Sequence, residues 1–74
     1  MPLSPKEFAL FGYLLRNRGR IVSREEIFEQ VWKDYGSDFS YASDTINVHI
    51  AYIRKKLDNP KIIRTVKLAG YVID

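Results

Sequence analysis

The chain contains no cysteine, which removes disulfides and thiolate metal ligands as ways of holding a small fold together. A single histidine, His49, cannot assemble a metal site by itself, so no metal or other cofactor is expected. No apolar run approaches the roughly 20 residues that a membrane-crossing helix requires, and the N-terminus lacks the long apolar core of a secretion signal. A cytoplasmic protein with no membrane partner is therefore expected. Base–nucleophile pairs and metal-ligand spacings are also missing: Asp34, Asp38 and Asp44 lie near an irregular stretch with nothing beside them to do chemistry, so no enzymatic activity is expected.

What is present fits one folded domain over residues 1–74. A hydrophobic fraction of 46% and a charged fraction of 28% are ordinary for a globular chain. A chain this short buries only roughly 60% of the surface its unfolded form exposes, leaving little room for an enclosed substrate cavity. The net charge of +3 and pI near 9.3 suit a polyanionic partner without requiring one.

Ser4-Pro5-Lys6-Glu7 combines an N-cap serine, a proline preset for the first helical turn and a glutamate placed to close a capping box, so a first helix starts here. Phe8, Phe11, Leu14 and Leu15 are its expected buried stripe, Gly12 marks an expected close approach to a neighbour, and Asn17-Arg18-Gly19 ends it. Arg20-Ile21-Val22 is β-prone and long enough to add a third strand to a hairpin formed elsewhere. Ser23-Arg24-Glu25-Glu26 repeats the capping-box pattern, and Ile27, Phe28, Val31 and Trp32 give the second helix its apolar face. From Lys33 to Ser43 an irregular loop is expected, in which Tyr35, Phe39 and Tyr41 either fold back onto the core or meet a partner.

The third helix carries the functional question. At 100° per residue Ile46, Ile50, Ile53 and Leu57 share one sector and face the core. Asp44, Val48, Ala51, Tyr52 and Lys55 then point outward, flanked by His49 and Lys56 on one side and by Asn47 and Arg54 on the other. Hydrogen-bonding groups, a basic end and small apolar surface on one face suit a DNA major groove, where polar side chains meet base edges and an aliphatic group can pack on a thymine methyl. An ordinary solvated helix accounts for Lys55 and Lys56 but less well for Val48. His49 taken singly also suits a partly buried hydrogen-bonding role. After a turn at Asn59-Pro60, Ile62 to Val66 and Tyr71 to Ile73 form two strands around Lys67-Leu68-Ala69-Gly70. Arg64 and Lys67 are expected near the tip of that hairpin, where they can follow a phosphate backbone, although the hairpin equally suits a purely structural role.

In order and spacing these residues resemble the winged-helix effector domain of OmpR/PhoB-type response regulators. The resemblance rests on Leu3-Ser4-Pro5-Lys6-Glu7-Phe8, on Gly19 to Ile27 with Val31-Trp32, on Thr45 to Leu57, and on Ile63 to Val66 with Gly70-Tyr71. It implies a mainly α fold with a small β component: three helices, a short strand between the first two, and a C-terminal β-hairpin wing. It further implies sequence-specific binding of double-stranded DNA in transcription regulation. Carried over, Val48, His49, Ala51, Tyr52 and Arg54 occupy positions that meet the major groove or its flanking phosphates, and Asp44, Asn47, Lys55 and Lys56 share that helix. Lys67 and its neighbours take the wing position near the minor groove, with Arg64 and Tyr71 also on the wing. Arg24, Trp32 and Thr65 sit where the family tends to contact the DNA backbone. The loop 33–43 takes the place of one that can touch RNA polymerase. A phosphorylatable receiver domain and a homodimer on direct repeats are implied for the full-length regulator.

Departures from the family pattern point to weaker or redirected DNA binding. Asp44 stands where arginine is common, Ala51 and Tyr52 where basic residues are frequent, Lys67-Leu68 where arginine and glycine are usual, and Val72 where arginine often follows the tyrosine. Lysine keeps the charge of arginine but loses its bidentate geometry. The family's N-terminal four-stranded sheet and the receiver are missing from these residues, so an excised effector domain or a shortened relative is expected. The alternative from another class is a winged-helix protein-interaction module with weak or no DNA binding, favoured by Asp44, Ala51 and Tyr52.

Overall fold

The computed structural model describes residues 2–33 and 39–74, with side chains described for 2–33 and 44–74. Helix α1 (Pro5–Arg16) opens on the expected capping box. The Ser4 hydroxyl accepts from the Glu7 N–H at 3.2 Å, and the Glu7 carboxylate accepts from the Ser4 N–H at 2.8 Å. Helix α2 (Arg24–Val31) is capped by Ser23, whose hydroxyl accepts from the Glu26 N–H at 3.1 Å. The reciprocal half of that second box is not formed. Arg20 holds the Glu26 carboxylate with two bonds of 3.0 and 2.6 Å, and the Tyr13 hydroxyl donates to it as well. A guanidinium fork competes well against a single backbone N–H.

Helix α3 (Phe39–Lys56) begins inside the stretch expected to be irregular: residues 39–43 are helical, and no proline or glycine interrupts 39–56. Asp44 therefore lies within the helix rather than at its start, which rules out an N-cap role. The side chains of Tyr35, Phe39 and Tyr41, and the carboxylates of Asp34 and Asp38, lie outside the described residues. The helix ends in a 6→1 and 5→2 pair of hydrogen bonds, Asn59 N–H to Arg54 C=O and Asp58 N–H to Lys55 C=O, both 3.1 Å, with Asp58 in the left-handed region at φ +52°. The chain thus leaves the helix before Leu57 can complete the apolar stripe. Ile46, Ile50 and Ile53 are buried as expected, while Leu57 is exposed.

Strands β1 (Arg64–Val66) and β2 (Gly70–Val72) pair antiparallel, Arg64 opposite Val72 and Val66 opposite Gly70. The expected strand at Arg20-Ile21-Val22 is only an isolated bridge, in which Val22 and Tyr71 exchange both backbone hydrogen bonds at 2.8 and 2.9 Å. It is bracketed by the turn at Gly19 (φ +85°) and the α2 cap at Ser23, which leaves no length for a ladder. Gly70 makes the bridge possible: its φ is +143°, and a Cβ there would lie 2.1 Å from the Val22 carbonyl oxygen. Arg64 consequently sits at the open end of the hairpin, not near its tip, and forms two 3.0 Å bonds with Asp74.

The core joins Leu10 and Leu14 of α1, Ile27, Phe28 and Trp32 from α2 and its C-cap, Ile46, Ile50 and Ile53 of α3, and Val22, Ile63, Tyr71 and Ile73. On α1 the buried stripe is rotated from the expected one. Glu7, Leu10 and Leu14 face inward with Leu3 and Phe11 partly covered, whereas Phe8 is 69% exposed and Leu15 also lies outside. Glu7 occupies a core-facing position because Lys56 reaches it from α3, Nζ to Oε1 2.7 Å. Burial pushes the Glu7 carboxyl up, but Lys56 and the Ser4 N–H and hydroxyl bring it below its ordinary value overall. Among the described residues Gly12 meets only Arg16 Nη1, 3.6 Å from an added Cβ, so the close packing expected there is not found among them.

Candidate nucleic-acid interface

Because Ile46, Ile50 and Ile53 anchor α3 in the core, its opposite face is fixed in solvent. Asp44, Asn47, Val48, Ala51, Tyr52 and Lys55 are all exposed there, Val48 by 46% and Tyr52 by 51%. A helix presenting that much apolar surface beside donors is unlike a face selected only for solvation.

Asn47 is held by two elements outside its own helix. Its Oδ1 accepts from Arg24 Nε at 3.1 Å and from the Tyr71 hydroxyl, while the Arg24 guanidinium lies 5.4 Å from the Tyr71 ring centroid. Arg24 can only donate, so the amide oxygen must face it and the amide NH2 is left to donate elsewhere. Tyr71 itself is buried, and its role is to fix Asn47 and the hairpin rather than to offer surface. His49 is half-buried, with Nδ1 2.8 Å from the Thr45 carbonyl and its ring edge-to-face with Trp32 at 5.1 Å. A carbonyl only accepts, so Nδ1 is the donating nitrogen and Nε2 is left for a partner elsewhere.

The basic residues divide into two groups. Arg54 turns toward the hairpin, donating to the Ile63 carbonyl at 3.1 and 2.5 Å and to Thr65 Oγ1 at 2.7 Å, and Lys56 turns toward Glu7. Lys55 and Lys67 are exposed, and neither forms an ion pair among the described residues. Arg64 is neutralised by Asp74, whose hydrogen bonds hold the guanidinium above and the carboxyl below their ordinary values. Trp32 is fully buried, and its Nε1 has no hydrogen-bond partner among the described residues, so it offers no surface to a phosphate in this arrangement. Lys6 was not singled out by sequence. It donates to the Val31 carbonyl at 3.1 Å and lies 5.5 Å from the Trp32 ring centroid, closing the C-terminal end of α2.

A family profile described as "Transcriptional regulatory protein, C terminal" matches residues 1–73. The chain belongs to that family. Among curated relatives, the regulatory protein VanR of Enterococcus faecium is 41% identical over 78 residues, covering 100% of this chain and 33% of that protein. The chain therefore spans about a third of the length of such relatives. Among solved structures, the C-terminal domain of the nisin resistance regulator NsrR matches with a TM-score of 0.80 and 31% identity, over 99% of this chain and 74% of that one. The DNA-binding domain of Klebsiella pneumoniae RstA, solved in complex with the RstA box, matches with a TM-score of 0.80 and 26% identity, over 97% and 72%. Three helices and a two-stranded hairpin in this order are the winged helix of response-regulator DNA-binding domains, and the family's work is DNA-binding transcription regulation.

Proposed function

We propose that this domain reads duplex DNA with the outward face of α3 in the major groove, the hairpin lying along the adjacent backbone and minor groove. The observation that carries this assignment is the arrangement on α3: Val48, Ala51 and Tyr52 beside an Asn47 amide whose oxygen is already occupied and whose NH2 has no partner among the described residues. Asn47, Val48 and His49 are assigned to base edges, Lys55 and Lys67 to phosphates. Arg24, Tyr71 and Trp32 position the readers, Trp32 through its edge contact with His49. Arg54 and Thr65 act together to seat the hairpin, Lys56 stabilises the fold, and Arg64 reaches DNA only if it leaves Asp74. Asp44 faces DNA as a repulsive or cytosine-reading carboxylate.

In a protein of the length of its relatives, the domain would act as the effector of a two-component response regulator. A receiver domain would control it, it would pair on direct repeats, and the stretch 33–43 would contact RNA polymerase. All of this belongs to a cytoplasmic protein without catalytic activity of its own in this domain. The exposed Val48 and Tyr52 also fit a protein-docking face, with DNA binding weak or lost.

A titration of the chain against random-sequence duplex over a range of salt separates the two. DNA binding predicts a log–log slope of about −0.9 per phosphate neutralised, made shallower by about one unit by Lys55→Gln or Lys67→Gln and unchanged by Lys56→Gln. Absence of binding at low salt supports the docking face instead.

A further inference from the structure

Leu68 is the most exposed large apolar side chain among the described residues, 93% open to solvent at the hairpin tip, and its backbone is in the left-handed region at φ +66°. Glycine takes that conformation without steric cost, so strain and exposure both count against leucine in the free domain. Within the chain Leu68 has little to pack against, and a contact outside the chain is what gives such a residue a use. The tip itself is well fixed. The Ala69 N–H donates to the Val66 carbonyl at 2.9 Å, β1 is tied to α3 through Thr65 and Arg54, and β2 through Tyr71 and Asn47. Both strands are therefore tied to α3 behind the turn, and Lys67 and Ala69 are exposed on either side of Leu68.

We propose that Leu68 is a minor-groove reader that selects A·T over G·C pairs beneath the hairpin tip. The inference rests on the proposed function in both its parts, duplex DNA as the ligand of α3 and the hairpin tip over the minor groove. Lys67 is drawn by the negative potential of the groove, which is strongest where A·T runs narrow it, and so carries the neighbouring isobutyl group to the groove floor. There A·T and T·A pairs show only acceptors, whereas a G·C pair adds the guanine N2 amino donor. An aliphatic side chain cannot accept from that amino group, so covering it leaves a buried donor unpaired. The bulk of the amino group also fills the space the leucine side chain needs. Lysine and backbone groups respond to this exocyclic group only through groove width and potential, whereas leucine meets it directly.

Inosine isolates that group, because an inosine·cytosine pair keeps the major-groove edge of G·C and lacks the minor-groove amino group. The test takes a duplex enriched by the chain from a randomised pool and sets each pair on the hairpin side of the site in turn to A·T, G·C and inosine·cytosine. Wild-type protein is expected to bind the A·T and inosine duplexes alike at one or two positions, and the G·C duplex about tenfold more weakly there. Leu68→Gly is expected to bind all three within about twofold, to be thermally as stable as wild type or more so, and to keep the preferences set by α3. Leu68→Ala should fall between them. If the inosine duplex binds as weakly as G·C at every position, or if Leu68→Gly keeps the discrimination, the assignment is overturned while DNA binding by α3 stands. Failure to enrich or bind any duplex overturns both together.

Discussion

Around α1 and α2 the polar side chains satisfy one another: Glu7 takes Lys56 and the Ser4 backbone, and Glu26 takes Arg20 and Tyr13. On the outer face of α3 and at the hairpin tip the pattern is reversed. There Asn47 keeps its NH2 unspent, Lys55 and Lys67 are exposed, and Val48, Tyr52 and Leu68 hold apolar surface in solvent. Sequence composition alone does not separate the two regions, since both mix charged and apolar residues. What separates them is whether a side chain has a partner among the described residues, and a region whose groups lack one there is where a ligand gains most.

The contrast is most easily broken at the joint between the two regions. Gly70→Ala would push a Cβ to within 2.1 Å of the Val22 carbonyl oxygen, at a φ of +143° that alanine avoids. A stability loss of about 3 kcal/mol in urea denaturation is expected, with the hairpin detached from α2. Lys56→Met tests the buried side of the contrast. It leaves the Glu7 carboxylate buried without its counter-ion, for a loss of about 2–3 kcal/mol, while the salt dependence of DNA binding stays as in wild type. A shallower slope would return Lys56 to the DNA face.

Acid sharpens the same comparison with a smaller effect. Hydrogen bonds from Arg20 and then Tyr13 hold the Glu26 carboxyl down to about 2. A depressed carboxyl stabilises the fold fully above its ordinary value of 4.5, and that contribution is lost as pH falls from there toward 2. Glu7 is lowered too, so it acts with the same sign. Thermal midpoints should decline across that interval, and Glu26→Gln should lower the midpoint at neutral pH while flattening its decline in acid. An equal decline in the variant would mean that Glu26 is not what titrates.

Much of this was legible in the residues. The Ser4 and Ser23 caps, the apolar face of α2, the inward triplet Ile46, Ile50 and Ile53 and the outward set from Asp44 to Lys55 all follow from periodicity and capping chemistry. The errors arose where a tertiary partner overrode the local pattern. Glu7 takes an inward place on α1 because Lys56, 49 positions away, reaches it, and Phe8 and Leu15 are rotated outward as a result. The Glu26 carboxylate is claimed by Arg20 and Tyr13 instead of its own N-cap, and Arg54 by the hairpin. The early start of α3 at Phe39 was masked by serines and an aspartate that read as loop. The split between exposed and internally paired lysines, which decides who can meet a phosphate, has no signature in sequence spacing at all.

Every role proposed for the recognition surface depends on the outer face of α3 being the reader of base identity. The direct measurement is the sequence motif enriched from a randomised duplex pool, determined for wild type and for Asn47→Ala and Val48→Ala, with folding checked by circular dichroism. Loss of preference at one or two positions in each variant, about 1–3 kcal/mol at the preferred site with binding to random duplex nearly unchanged, is the predicted result. An enriched motif identical in all three folded proteins would contradict it.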